Sequence, residues 1–316
     1  MNGIKESGVA STLLKKLEGI TVALVTPMQS NGAFDPAGLE NLIERSLLHG
    51  ACCLFPLGWA GEAPRLPDEV RREMIFYTCK FAAGRVPVMA GVSEQSLPRA
   101  LQLADWAREA GADIILATPP YSYPISQETV FVFFRDLAAE SGMPVVVYQN
   151  DDVGVGIDVD TMVRLSRTQG VIGVKAYMPF AKLQQALHQA HRPGEFGVMS
   201  GDESLFEAAL VLGIRHFTMG TPGNICLRWC VNIYQDAVDE DWSGVREKQK
   251  RLTDFCQALY PRVEAPSAAA KWIMHTAGLI ASPYVTPPHR ELPAEQQQVV
   301  DEVCSEYADV VDSFDS

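Results

Sequence analysis

The stretch Val171-Ile172-Gly173-Val174-Lys175-Ala176 decides the fold and also carries the most informative single residue of the chain. A run of small and β-branched apolar residues without polar alternation predicts a strand that is buried on both faces, as in a parallel sheet. Lys175 lies at the C-terminal end of this strand. Because burial disfavours an ammonium ion, the pKa of such an amine falls and the amine becomes a nucleophile for carbonyl compounds. The alternative is a lysine that ends the strand and extends to water.

Outward from this strand, apolar stretches alternate with segments of helical periodicity in both directions along the chain. The predicted strands cover residues 19–27, 51–57, 86–92, 112–118, 143–149, 171–176, 196–200 and 215–219. Eight strands that alternate with helices predict an α/β protein, a (β/α)8 TIM barrel with a C-terminal helical extension. A Rossmann sheet is the weaker alternative, because no glycine-rich phosphate-binding fingerprint follows the first strand.

The chain divides into three predicted parts. Residues 1–18 form an N-terminal lead-in, residues 19–223 the barrel core, and residues 224–316 the helical extension packed on the barrel. Residues 1–16 lack the apolar core of a signal peptide, and we expect them to be a frayed lead-in. A small independent C-terminal domain is the alternative for the last part, but no linker-like composition separates it from the barrel.

The composition of the chain argues against several functional classes. The 316 residues are 47% hydrophobic, which suits a globular protein with a large core, and no stretch is long enough to span a bilayer. A net charge of −13 argues against non-specific nucleic-acid binding and against an anionic membrane surface. The seven scattered cysteines predict reduced thiols in a cytoplasmic protein. The six histidines show no metal-binding spacing, so a metal hydrolase is disfavoured.

Two side chains at neighbouring strand ends predict an active site. In a barrel of this kind, the chemistry lies where strands end and the following loops begin. Tyr148 and Lys175 end the fifth and sixth strands, so their side chains can converge. A tyrosine beside an imine-forming lysine can relay protons while the carbinolamine forms and loses water.

The loop after the second strand predicts an anion-binding site. Gly58 and Gly61 flank Trp59 and Ala60. The glycines allow backbone N–H groups to turn into the pocket and hold a carboxylate, with added help from the start of the next helix. The following residue, Glu62, is interpreted as a carboxylate at that helix start rather than as an acid–base group.

Short motifs mark these strand ends. They are G-x-x-G-E at residues 58–62, T-P-x-Y at 118–121, the tyrosine of the fifth strand, G-x-K at 173–175 and S-G-D at 200–202. With the strand order, they resemble the dihydrodipicolinate synthase / N-acetylneuraminate lyase superfamily of class I, pyruvate-related aldolases, over nearly the whole chain. The S-G-D motif places Gly201 among the predicted substrate-binding residues.

The resemblance implies a role for each main site residue. It implies that Lys175 is the Schiff-base nucleophile and Tyr148 the proton relay, and that the loop around Trp59 and Ala60 binds the carboxylate of a 2-oxo acid. It also implies that Tyr121 reaches into the site of a neighbouring subunit, in a homotetramer built from two tight dimers. No metal or organic cofactor is implied.

The departures from the family pattern concern the substrate. Many members carry two hydroxyl residues where this chain has Trp59 and Ala60. Residues 148–156 (YQNDDVGVG) lack the arginine with which a dihydrodipicolinate synthase meets the carboxylate of its second substrate. Asp151 and Asp152 stand there instead, and we predict that they accept hydrogen bonds from substrate hydroxyls or from a cation. A solvated turn is the alternative for this pair.

These observations favour a lyase or aldolase that cleaves or condenses a small-molecule 2-oxo acid with an aldehyde through an imine on Lys175. A dehydratase of 2-keto-3-deoxy sugar acids is the first alternative, since the same imine can expel water. Dihydrodipicolinate synthase proper is a second alternative. A catalytically inactive binding or regulatory barrel is a third, although the presence of both Lys175 and Tyr148 argues against it.

Overall fold

The computed structural model describes residues 3–151 and 153–312, which form a parallel barrel wrapped in helices. The strands are β1 (Gly19–Ala23), β2 (Cys53–Phe55), β3 (Met89–Gly91), β4 (Ile114–Ala117), β5 (Val145–Asn150), β6 (Val171–Tyr177), β7 (Gly197–Ser200) and β8 (His216–Met219). They are ordered β2-β1-β8-β7-β6-β5-β4-β3. A parallel bridge between Leu54 and Val88 joins the two end strands and closes the barrel. All eight predicted strands are present, and the predicted TIM barrel is confirmed.

Helices follow the strands as the sequence periodicity predicts. They are α1 (Gly3–Lys16), α2 (Pro36–Leu48), α3 (Asp68–Ala82), α4 (Leu97–Ala110), α5 (Gln127–Ser141), α6 (Val159–Leu165), α7 (Phe180–Ala190), α8 (Phe206–Val211), α9 (Thr221–Ile225), α10 (Leu227–Val238), α11 (Trp242–Leu259), α12 (Pro266–Thr276) and α13 (Ala294–Glu306). Helix α2 illustrates how local sequence starts a helix. Asp35 caps it by accepting a 3.0 Å hydrogen bond from Gly38 N, and Pro36 occupies the first turn.

The prediction of a frayed lead-in is wrong for the described residues, because α1 is a helix that plugs the N-terminal end of the barrel. Leu13, Leu14 and Leu17 are buried against side chains that fill the barrel interior. The carbonyl of Leu14 lies 3.0 Å from Nε2 of His216 on β8. These apolar residues recur at helical spacing and therefore bury one face of α1, a pattern that a test for signal peptides does not detect.

Alternation along each strand divides the core into two layers. On β5, Val146 and Tyr148 face the barrel interior, whereas Val145 and Val147 face the surrounding helices. Polar side chains at the C-terminal ends of the strands therefore point into one shared space at the barrel mouth.

The C-terminal helices are tied to the barrel by a buried carboxylate. Asp312 accepts hydrogen bonds from the backbone N–H groups of Leu227 (2.9 Å) and Arg228 (3.1 Å) at the start of α10. It also lies 3.2 Å from the guanidinium of Arg45 on α2. The end of the described chain is thereby fixed to the helical layer.

All seven cysteines are free thiols, as the sequence predicts. Within residues 3–151 and 153–312, every helix is too short or too polar to traverse a bilayer.

Candidate active site

Lys175 and Tyr148 meet inside the mouth of the barrel. The register of β5 and β6 places the two residues opposite each other, and both point inward. Nζ of Lys175 lies 3.5 Å from the centroid of the Tyr148 ring. Both side chains are buried, and burial lowers the pKa of the Lys175 amine to about 7, against a smaller opposing effect of the Glu203 carboxylate. A large fraction of this amine is therefore neutral near pH 7.

Gly201 leaves the space that the lysine occupies. A Cβ atom at this position would lie 3.1 Å from Cε and 3.3 Å from Nζ of Lys175. The backbone N–H of Gly201 donates to the carbonyl of Ala176, next to the lysine, at 2.9 Å. The glycine predicted from the S-G-D motif thus lies beside the reactive amine, where a side chain would crowd it.

The loop after β2 is held rigidly by its neighbours. Thr26 Oγ1 donates a 2.7 Å hydrogen bond to the carbonyl of Gly61, and the N–H of Glu62 donates to the carbonyl of Trp59 at 3.0 Å. The loop is bracketed by two left-handed residues, Leu57 (φ 63°) and Glu62 (φ 60°). Such conformations are costly for residues other than glycine and persist only where the surrounding contacts impose them.

Glu62 lies at the start of a short 3-10 helix (Ala63–Arg65), but its carboxylate is used elsewhere. Its side chain makes no capping hydrogen bond and instead forms an ion pair with Lys271 of α12, where both side chains are fully buried. The other carboxylate oxygen accepts a 2.6 Å hydrogen bond from the N–H of Thr286, and Lys271 Nζ donates to the carbonyl of Tyr284 at 2.8 Å. The C-terminal part of the chain thereby fixes the position of the loop after β2 through Glu62.

The aromatic residues Trp59 and Tyr121 lie together at the entrance. Their ring centroids are 6.2 Å apart and the rings are tilted by 58°. Trp59 is exposed, whereas Gly58 is buried beneath it. A small cavity at the barrel mouth is lined by both aromatic residues, Tyr148 and Thr118. The structure thus brings Tyr121, Tyr148 and the loop around one space.

Asp151 is already paired with protein groups. Its Oδ1 atom accepts a 2.7 Å hydrogen bond from Nζ of Lys182 on α7 and another from Nε2 of Gln149. The amide oxygen of Gln149 in turn accepts from the N–H of Ile157 at 2.6 Å. The pairing with Lys182 offsets the charge of Asp151. Asp152, the other predicted acceptor, lies outside the described residues.

A second carboxyl group near the amine comes from the segment after β7. Oε1 of Glu203 accepts a 2.7 Å hydrogen bond from the phenol of Tyr260, at the end of α11. Partial burial raises the pKa of Glu203, and its charge interacts with Lys175. Glu203 directly follows the S-G-D motif, but its role could not be predicted from the sequence because its partner Tyr260 is remote along the chain.

Comparison with known proteins identifies the family. The model of the dihydrodipicolinate synthetase family matches residues 16–307. A 4-hydroxy-tetrahydrodipicolinate synthase of Leptothrix cholodnii is 33% identical over 271 residues, which cover 85% of this chain and 91% of the relative. The chain belongs to the dihydrodipicolinate synthetase family. Family members are class I lyases that form a Schiff base with their substrate, and this protein is an enzyme of that class.

Solved structures of the family share the fold. Dihydrodipicolinate synthase from Aquifex aeolicus has a TM-score of 0.86 and 27% identity, with 94% of this chain and all of that chain covered (100%). A protein described as the first monomeric dihydrodipicolinate synthase variant has a TM-score of 0.86 at 23% identity, over 93% of this chain and 98% of its own. The second likeness concerns the fold alone.

Proposed function

We propose that the protein is a Schiff-base lyase or aldolase that cleaves or condenses a 2-oxo acid, pyruvate or a pyruvate-derived aldol, through an imine on Lys175. One observation carries this proposal: the buried amine of Lys175, with a pKa of about 7, lies 3.5 Å from the ring centroid of Tyr148. A buried, partly neutral amine beside a phenol is what imine formation with a ketone requires.

Lys175 and Tyr148 have different roles in the proposed reaction. Nζ of Lys175 attacks the C2 carbonyl carbon of the 2-oxo acid, and the carbonyl oxygen takes up a proton to give a carbinolamine. Loss of water then forms the C=N bond, and Tyr148 moves protons between the nitrogen and the departing oxygen. The imine draws the electron pair of the C3–C4 bond of an aldol while the C4 hydroxyl gives up its proton, which ends on the nitrogen. The C3–C4 bond thus breaks to give an aldehyde and an enamine. Protonation and hydrolysis of the enamine release pyruvate and the free lysine.

The carboxylate of the 2-oxo acid fits the loop that follows β2. The N–H groups of Trp59 and Ala60 make no hydrogen bond to any described residue, so both donors are free for a substrate oxygen. Neither residue offers a side-chain hydroxyl, so carboxylate binding relies on backbone donors. Gly58 and Gly61 complete this proposed binding loop.

For the distal part of the substrate, we propose a neutral, hydroxyl-bearing chain rather than a carboxylate. Lys182, which contacts the turn after β5, is already paired with Asp151 at 2.7 Å. The residues at 148–156 include no arginine. A distal carboxylate is thus offered no unpaired cation by this turn, whereas Asp151 and Glu203 offer oxygen atoms that accept hydrogen bonds from hydroxyl groups.

Dihydrodipicolinate synthase proper is the second candidate, favoured by the name of the Leptothrix cholodnii relative at 33% identity. A dehydratase that uses the same imine is a third candidate, since the geometry around Lys175 and Tyr148 serves C–O elimination equally well.

A substrate screen separates the candidates. Purified enzyme is incubated with pyruvate and a series of aldehydes, with aldol products and with 2-keto-3-deoxy sugar acids, and pyruvate release or consumption is measured. We expect turnover with hydroxylated aldehydes and no turnover of aspartate semialdehyde with pyruvate. A Trp59→Thr variant is compared alongside, because it restores a hydroxyl to the loop. A rapid reaction of the wild-type enzyme with aspartate semialdehyde would contradict the proposed substrate class and favour the synthase.

We also propose a cytoplasmic homotetramer. Its cytoplasmic location is supported by the seven free thiols. Its assembly is supported by the family resemblance, which implies that Tyr121 reaches towards a neighbouring subunit, while within one chain Tyr121 also lines the cavity beside Tyr148.

A further inference from the structure

Thr118, at the end of β4, carries a buried hydroxyl group with no partner. The residue is only 4% exposed, and its Oγ1 atom has no hydrogen bond to any described residue. Its backbone N–H is already bonded to Ser93 Oγ at 3.0 Å. Buried hydroxyl groups in folded proteins are nearly always hydrogen-bonded, so an unpaired one that faces a cavity indicates a partner that enters from outside.

Strand register places this hydroxyl beside the proposed catalytic pair. On β4, Leu116 faces the barrel interior and Ala117 faces the helices, so Thr118 faces inward again. Ala117 pairs with Val147, and the same register continued by one residue sets Thr118 next to Tyr148. Neighbouring parallel strands are about 4.8 Å apart. Since Tyr148 in turn pairs with Lys175, the three side chains form one row across three strands.

The cavity itself points to the same role. Thr118 lines it together with Tyr121 and Tyr148. In the neighbouring loop, the exposed Trp59 and the half-buried Ala60 supply no hydroxyl. Thr118 therefore offers a hydroxyl on this wall that can both donate and accept a proton.

We propose that Thr118 is a proton-relay residue of the imine chemistry, an inference that rests on the proposed function. When Lys175 condenses with a ketone, the nitrogen loses two protons and the carbonyl oxygen gains two and leaves as water. For each of the two protons, the Tyr148 phenol takes one proton from the nitrogen and gives its own either to the oxygen directly or to the adjacent Thr118 hydroxyl, which at the same time passes its proton to the oxygen. Both side chains end the cycle as they began it, so atoms and charge balance.

The test measures the rate and the extent of imine formation separately. Enzyme and pyruvate are mixed rapidly, quenched in borohydride after set times, and the reduced adduct is quantified by mass spectrometry. For Thr118→Val, which preserves shape but removes the hydroxyl, we expect the rate to fall about tenfold or more, in keeping with general acid–base effects. The final extent, and the pyruvate concentration that gives half of it, stay within about twofold, because a relay changes rates and not equilibria.

Two control variants bracket this result. Thr118→Ser keeps a hydroxyl and recovers most of the wild-type rate. Ser200→Ala removes another buried hydroxyl that has no hydrogen-bond partner. On β7, Val198 faces the helices and Met199 faces the barrel interior, so Ser200 faces the helices again. We therefore expect Ser200→Ala to leave the rate of imine formation unchanged. If Thr118→Val does not fold, Thr118→Ala takes its place.

The outcomes distinguish this inference from the function on which it rests. A wild-type rate in Thr118→Val overturns the relay role of Thr118 and leaves the proposed function intact. A fall in final extent with no change in rate overturns it as well, because that result indicates a binding or structural role. No adduct in the wild-type enzyme overturns both proposals.

Discussion

The reactivity of Lys175 depends on how far its surroundings lower the pKa of its amine. An ordinary lysine has a pKa of 10.5, whereas burial lowers the pKa of this amine to about 7. Below pH 7 the amine is protonated and inert, and above pH 7 the neutral form dominates. We therefore expect the rate of imine formation with pyruvate to rise with pH around a midpoint of about 7 and then to level off. A rate that still rises towards pH 10 would contradict the assignment of a desolvated amine.

The same residue shows how far sequence reasoning extends. Lys175 at the end of an apolar strand, and Tyr148 at the end of the preceding one, predict a converging pair, and the structure places both in one row. Their roles in catalysis stay predictions. Other features depend on distant contacts and could not be predicted: the pairing of Asp151 with Lys182, and that of Glu203 with Tyr260, join residues that no local pattern connects.

At the scale of elements, the C-terminal helices and the substrate loop are coupled by one buried ion pair. Removing one partner of such a pair leaves an uncompensated buried charge, at a cost of about 3–5 kcal/mol. We expect Lys271→Met, which leaves Glu62 with Arg65 at 3.5 Å as its one remaining cationic partner among the described residues, to lower the free energy of unfolding by up to about this amount. Lys250→Met is the matched control, because Lys250 is mostly exposed and its pairing with Asp254 contributes about 0–1 kcal/mol at most. Urea denaturation of the two variants measures the difference.

Equal stability of the two variants would show that the Glu62–Lys271 pair is not buried as described. The pair also explains why the role of Glu62 could be predicted only in part. A glutamate at a helix start is expected to interact with the helix dipole, but the buried partner of Glu62 is Lys271, which is remote along the chain. By contrast, all eight strands could be predicted, since each is a continuous apolar run and needs no distant partner to be recognised.

At the scale of the whole molecule, the aromatic surface beside the active site predicts an assembly. Tyr121 is partly buried against Trp59, and Tyr123 in the same segment is 77% exposed, so this side of the barrel presents aromatic surface next to the active site. Aromatic residues are enriched in the buried centres of interfaces. We expect sedimentation velocity at micromolar concentration to show a tetramer, and Tyr123→Asp to weaken it. Leu48→Asp, which changes an 82% exposed residue of α2, is the control. A wild-type monomer would contradict the assembly without affecting the proposed chemistry.

The most direct test of the central claim is chemical trapping of the imine. The wild-type enzyme and a Lys175→Ala variant are each incubated with pyruvate, reduced with borohydride, digested and analysed by mass spectrometry. We predict that the wild-type enzyme carries one reduced pyruvate per chain, on the peptide that contains Lys175, and that the variant carries none. An unmodified Lys175 in the wild-type enzyme, or an adduct on another lysine that persists in the variant, would contradict the account.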